Sequence, residues 1–111
     1  KMAAIPLNSF KTIRSDVTTG ITTMYTAPTG VSSIIILAQI TNVSSGIVTV
    51  TSYHGRSGTS VEIVKDFEIP ENDVLNLLDG RLALETGDTF EVQGSSNSTM
   101  KAILSVLETA K

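Results

Sequence analysis

Cysteine is absent from the 111 residues, which excludes a disulfide framework, a thiolate nucleophile and a cysteine-type zinc site together. Tryptophan is absent as well, and the aromatic share is 5%. Five scattered rings make a poor platform for stacking bases or sugars. Charge is also scarce: 17% of residues are charged, below the ~25% of an average globular chain. The net charge of -3 leaves no positive surplus to neutralise phosphates, so neither nucleic-acid binding by a basic surface nor a polybasic membrane anchor is expected. No apolar run approaches the ~18 to 20 residues that would span a bilayer, and no basic stretch followed by an apolar core opens the chain. A membrane is therefore not expected as a partner. Lys1 precedes Met2, so Met2 reads as the natural start and Lys1 as an addition ahead of it, leaving one domain over residues 2–111.

What fills the deficit is β-branched and hydroxylated chemistry. Val, Ile and Thr make up about a third of the chain, and such side chains fit a pleated sheet better than a helix. Turn residues then cut the chain into short alternating runs. Strands are expected over Phe10 to Val17, Ile21 to Ala27, Val31 to Val43, Ile47 to His54 and Val61 to Ile69. Further strands follow at Val74 to Leu78, Arg81 to Glu85, Thr89 to Gln93 and Thr99 to Thr109. Asp79-Gly80 reads as a two-residue hairpin turn. The last window also fits a helical stripe through Met100, Ile103, Leu104 and Leu107, but the regular turn spacing favours a strand. Eight or nine short strands with no internal repeat predict an all-β antiparallel sandwich, jelly-roll-like in character.

Catalytic constellations are missing. His54 is the single histidine and reads as a solvent-exposed residue beside a hairpin. No G-x-S-x-G elbow holds a serine in a strained turn, and no phosphate cradle follows from Gly55-Arg56-Ser57-Gly58, which precedes no helix. Glu71, Asn72, Asp73, Asp79 and Asp88 could cluster at one end of a sandwich as oxygen ligands for a cation, although the same residues serve turns for conformational reasons. Asn42-Val43-Ser44 and Asn97-Ser98-Thr99 match a glycan acceptor pattern by chance in a chain with no secretory signal. No enzyme activity, metal or cofactor is expected.

The apolar pattern is more informative. Ile36, Ala38, Val48, Val50, Phe90, Val92, Leu104 and Val106 form the expected core. Two strands carry apolar residues on both faces: Ile35 and Leu37 lie opposite the inward side of one, and Ile103 and Leu107 opposite that of the other. Either a loop or the N-terminal segment covers this second face, or it is a subunit interface made by Ile35, Leu37, Ile103 and Leu107.

A resemblance bears on that choice. Tyr25-Thr26-Ala27-Pro28-Thr29-Gly30, Ile40-Thr41-Asn42, Ile69-Pro70 and the run Leu78 to Asp88 (LDGRLALETGD) stand in the order "YT-x-P-x-G", "I-x-N", "IP", "L-x-G-x-L-x-LE-x-GD". In that order they resemble small virion structural proteins of tailed bacteriophages, particularly of marine and cyanobacterial phages, over residues 5–109. The resemblance implies a non-catalytic β-sandwich of the head, neck or tail, located in the virion, whose partners are its own copies and other virion proteins. A different class stays open beside it: a small carbohydrate-binding or receptor-binding sandwich that uses the loops Gly55 to Thr59 and Gly94 to Ser98 to hold a glycan.

Overall fold

A computed structural model describes residues 8–111; the expected start at Met2, Lys1 ahead of it and the first residues of the phage-like stretch lie outside that span. The described residues form nine strands: β1 (Asn8–Val17), β2 (Thr22–Thr26), β3 (Val31–Asn42), β4 (Val48–Arg56), β5 (Thr59–Ile69), β6 (Val74–Asn76), β7 (Leu82–Leu84), β8 (Thr89–Gly94) and β9 (Met100–Ala110). Each coincides with an expected strand to within a few residues. The ambiguous final window is the long strand β9, because its two neighbours bond it on both edges.

All pairings are antiparallel and build two sheets. Sheet I runs β1-β9-β3-β6, with β7 also on β3, and sheet II runs β2-β8-β4-β5. Apart from the β4–β5 hairpin and the β6–β7 pair, every connection crosses from one sheet to the other. Counting β6 and β7 as one interrupted strand, this is the order of a jelly roll, a double-sheet sandwich that leaves few edges unpaired.

The core lies between the sheets. Val17, Ile35, Ile40, Val50, Ile69, Phe90, Val92, Met100, Leu104 and Val106 are closed to solvent. Seven of the eight expected core residues are buried there: Ala38, Val48, Val50, Phe90, Val92, Leu104 and Val106. Ile36 is not, being 37% exposed. A bulge between Ile35 and Leu37 is the cause, since the β9 register slips there. Ahead of the bulge Ser33 and Ile35 point inward; after it Ala38, Ile40 and Asn42 do. A strict alternation through the strand therefore assigns the wrong face to its first half.

Asp79-Gly80 does not make a hairpin. β6 pairs with residues 39–41 of β3 and β7 with residues 33–35, both antiparallel to it. The chain therefore continues in one direction and merely steps away from β3 beside the bulge. The Leu77 amide keeps hold of the strand by donating to the Ala38 carbonyl at 2.8 Å, and Gly80 takes a left-handed φ of 113° in the excursion.

Candidate functional site

Alternation along β1, β9 and β3 fixes which side chains leave the sandwich. Cross-strand pairing sorts the outer side of sheet I into rows: Asn8, Thr109 and Ser32; Phe10, Leu107 and Ile34; Thr12, Ser105 and Leu37; Arg14, Ile103 and Gln39; Asp16, Lys101 and Thr41. The apolar part is centred on β9. Phe10 is 72% exposed and Leu37 37% exposed, while Ile34, Ile103 and Leu107 are half-buried among their neighbours. At one end Lys101 Nζ reaches Asp16 Oδ1 at 2.6 Å, an exposed pair that contributes little stability. The outer side of sheet II contrasts with this, presenting Thr23, Thr49, Tyr53, Glu62, Glu91 and Gln93.

Of the four residues expected on an interface, Leu37, Ile103 and Leu107 stand on this outer face. Ile35 does not: it is fully buried between the sheets, because the bulge places it one residue ahead of the register slip. Phe10, Ile34 and Ile36 join the face instead. Phe10 was legible, since a period of two puts it opposite Ile13 and Val17. Ile34 and Ile36 were not, because residues 34–38 are apolar in both phases and nothing in them marks the bulge.

The titratable groups gather in two other places. Asp88, immediately ahead of β8, is buried. Its Oδ1 accepts from Arg56 Nε at 2.8 Å, and its Oδ2 accepts from Arg56 Nη2 at 2.6 Å, from His54 Nε2 at 3.0 Å and from the Glu85 amide at 2.9 Å. The Arg56 hydrogen bonds, helped by the Glu85 amide and His54, hold the Asp88 carboxyl far below the usual carboxylate range against the opposing effect of burial. An ionised carboxylate only accepts, so His54 carries its hydrogen on Nε2. His54 is thus largely buried and engaged, contrary to its expected place in solvent. The cluster presents no nucleophile and no free base.

The second cluster joins the sheets. Tyr25 on β2 donates to Glu108 on β9, and its hydroxyl lies 2.9 Å from Ser33 Oγ on β3. Lys11 Nζ reaches the other Glu108 oxygen at 3.0 Å. Burial, reinforced by the Glu108 hydrogen bond, pushes the Tyr25 hydroxyl up to about 12, and the Tyr25 hydrogen bond, with Lys11, lowers the Glu108 carboxyl. Because the folded value lies above the unfolded one, the stabilising contribution of Tyr25 is complete below the ordinary tyrosine range and is lost as pH rises through it towards 12. In the Tyr53→Phe variant Tyr25 is the sole tyrosine, and ultraviolet titration should show phenolate formation only near 12, coincident with unfolding. Ionisation near 10, the ordinary value, would mean that the hydroxyl is open to water.

Other sequence candidates separate in space. In the β4–β8 pairing Gly55 faces Thr89 while Val50 faces Gly94, so the loops Gly55 to Thr59 and Gly94 to Ser98 leave opposite ends of sheet II and cannot close on one glycan. Asp73 Oδ1 accepts from the Val74 amide, Asp88 is committed to Arg56, and among the described residues no group of three or more His, Asp or Glu side chains is placed to hold a metal ion. Asn42 is closed to solvent. Its Nδ2 donates to the carbonyls of Gly46, Ile69 and Pro70, and its Oδ1 accepts from Ser44, so this amide is inaccessible to a glycosylating enzyme.

No family model matches the chain, and no curated protein matches it. Among solved structures it is similar to a chain from "Bacillus endospore appendages form a novel family of disulfide-linked pili", with a TM-score of 0.56 and 12% identity over 100% of this chain and 99% of that one. At that identity the likeness shows the shared fold alone: this chain is a β-sandwich with the two-sheet architecture of that subunit.

Proposed function

We propose that this chain is a non-catalytic structural subunit that assembles by protein–protein contact, and that it serves as a virion protein of a tailed bacteriophage, in head decoration, neck or tail. The observation that carries the assembly reading is the outer face of sheet I, where Phe10, Ile34, Leu37, Ile103 and Leu107 form one apolar surface. Contiguous apolar patches rimmed by polar residues mark protein contacts. The non-catalytic reading is supported by the use made of the polar side chains: Tyr25, Asn42 and Asp88 all belong to the phage-like motifs, and each is spent on holding the fold together. Asn42 ties its own strand end to the Ile69-Pro70 turn, and Asp88 binds the amide of Glu85 within the same motif. The ordered motifs thus read as a fold signature. A pilus subunit with the same sandwich is in keeping with assembly, but the disulfide linkage named for those pili has no counterpart in a chain without cysteine, so contacts here are not disulfide-linked.

Light scattering after size exclusion tests the assembly. The wild type at tens of micromolar should exceed the monomer mass, and Leu37→Asp or Ile103→Asp should reduce it to the monomer with the circular dichroism of the sandwich unchanged, because a charge desolvated in the contact has no partner. A wild-type monomer overturns the reading. Cryo-electron microscopy of particles of the phage that encodes the chain tests its virion role: sheet I should be covered by a neighbour, and a particle lacking the chain overturns the assignment.

A further inference from the structure

Assembly through sheet I leaves open what covers it. Resting on that reading, we infer that the occupant is a second copy of this chain, packed sheet on sheet about a two-fold axis that runs across the strands along the row Thr12, Ser105 and Leu37.

Size comes first. With strands ~4.8 Å apart and a rise of ~3.4 Å per residue, the face from β1 to β6 and from Asn8 to Asp16 covers roughly 500 Å² in plane. Two such faces bury about 1,000 Å² together even before side-chain relief is added, which reaches the lower bound of a specific interface. Sheets that pack face to face stay aligned within about 30°, so the rows of one copy lie nearly over those of the other.

Chemical self-complementarity then selects the axis. A two-fold across the strands through the Thr12 row exchanges the rows on either side of it. Leu107 comes over the partner's Ile103, and the exposed ring of Phe10 comes over the partner's Arg14, where a guanidinium on an aromatic face is favourable. The Asp16–Lys101 ion pair meets the polar row of Asn8, Thr109 and Ser32. A two-fold along the strands lies either on β9, where Lys101 comes over its own copy and like charges oppose, or between β9 and β3, where β1 comes over β6. The latter sets the Asp16 carboxylate over the partner's Val74, itself paired to Thr41 at the edge of the row. Desolvating an acid against valine is unfavourable. The outer face of sheet II, with Glu62 and Glu91 in one row, offers no apolar match for Phe10, so a head-to-tail stack is disfavoured as well.

The absence of cysteine makes the test clean. Thr12→Cys, Ser105→Cys and Thr41→Cys each place one thiol on the face, to be treated with a short bismaleimide that bridges the ~10 Å between packed sheets. With the axis across the strands, Thr12 and Ser105 lie over their own copies, whereas two copies of Thr41 lie ~27 Å apart along the strand direction. Expected is a covalent dimer from Thr12→Cys and Ser105→Cys, at about tenfold or more the yield from Thr41→Cys, since the linker cannot span that gap. Dimer from Thr41→Cys at a yield equal to or above that from Thr12→Cys means the axis runs along the strands, which overturns this arrangement and leaves the assembly reading standing. No cross-link from any variant, in a wild type that still exceeds the monomer mass, overturns the two-fold pairing on this face. A wild-type monomer fails the assembly reading itself. Unchanged circular dichroism of each variant, read first, confines the comparison to folded protein.

Discussion

Leu104→Ala should lower the unfolding free energy by about 3 to 4 kcal/mol, in the range of large-to-small substitutions at sealed core sites. Leu104 is fully buried at the middle of β9, which is bonded on one edge to Ile13 of β1 and on the other to Ala38 of β3. Its side chain enters the core between the sheets beside Val106 and Ala102, where neighbours held in two ladders cannot collapse into the space left behind. The cost therefore includes an unfilled cavity as well as lost burial. Against a total of roughly 5 to 15 kcal/mol for a domain of this kind, the loss is severe, and urea unfolding should show a much lower midpoint with the slope preserved. Ile103→Ala, one residue away but on the outer face, provides the contrast: its effect on the isolated subunit should stay below about 1 kcal/mol. Equal losses at the two positions would mean that the alternation of β9 is misassigned.

How much of this was legible follows from where the sequence alternates cleanly. In β8, and in β9 as far as Val106, every second residue is apolar, so Phe90, Val92, Leu104 and Val106 could be placed inward from their spacing alone. β3 defeats the same rule. Ile34, Ile35, Ile36, Leu37 and Ala38 satisfy either face, and the bulge is decided by long-range pairing with β9, which no local residue announces. The exchange of Ile35 for Ile36 between core and surface follows from that single slip. The Asp79-Gly80 turn failed for a related reason: its local chemistry suits a hairpin, but β3 offered both flanking strands the same edge, and two ladders outweigh one tight turn. The buried carboxylates were hidden for another reason. Asp88 and Glu108 look like surface residues by type, and only the convergence of Arg56 and His54 on one, and of Tyr25 and Lys11 on the other, makes their burial tolerable.

Asp88→Ala carries the other large expected loss, about 2 to 3 kcal/mol near pH 7, with a changed response to acid. The wild-type carboxylate satisfies the Glu85 amide, His54 Nε2 and two Arg56 nitrogens at once. Removing it strands the donors nearest the core, while Arg56, half-exposed, can turn back to water, which keeps the cost below that of a fully sealed ion pair. Asp88→Asn should retain part of the stability, since the amide oxygen still accepts while its NH2 confronts a donor. The sign with pH follows from the direction of the shift: the Asp88 carboxyl lies below its unfolded value, so its contribution is complete above the ordinary aspartate range and is lost as pH falls beneath that range. Glu108, also lowered, adds to the same acid limb. Urea unfolding across this range should therefore show wild-type stability falling steeply below about pH 4, with a shallower fall in Asp88→Ala, so that the two curves converge in acid. Parallel curves, with the same gap at neutral pH and in acid, would mean that Asp88 is not ionised in the folded protein and that the Arg56 contact is not an ion pair.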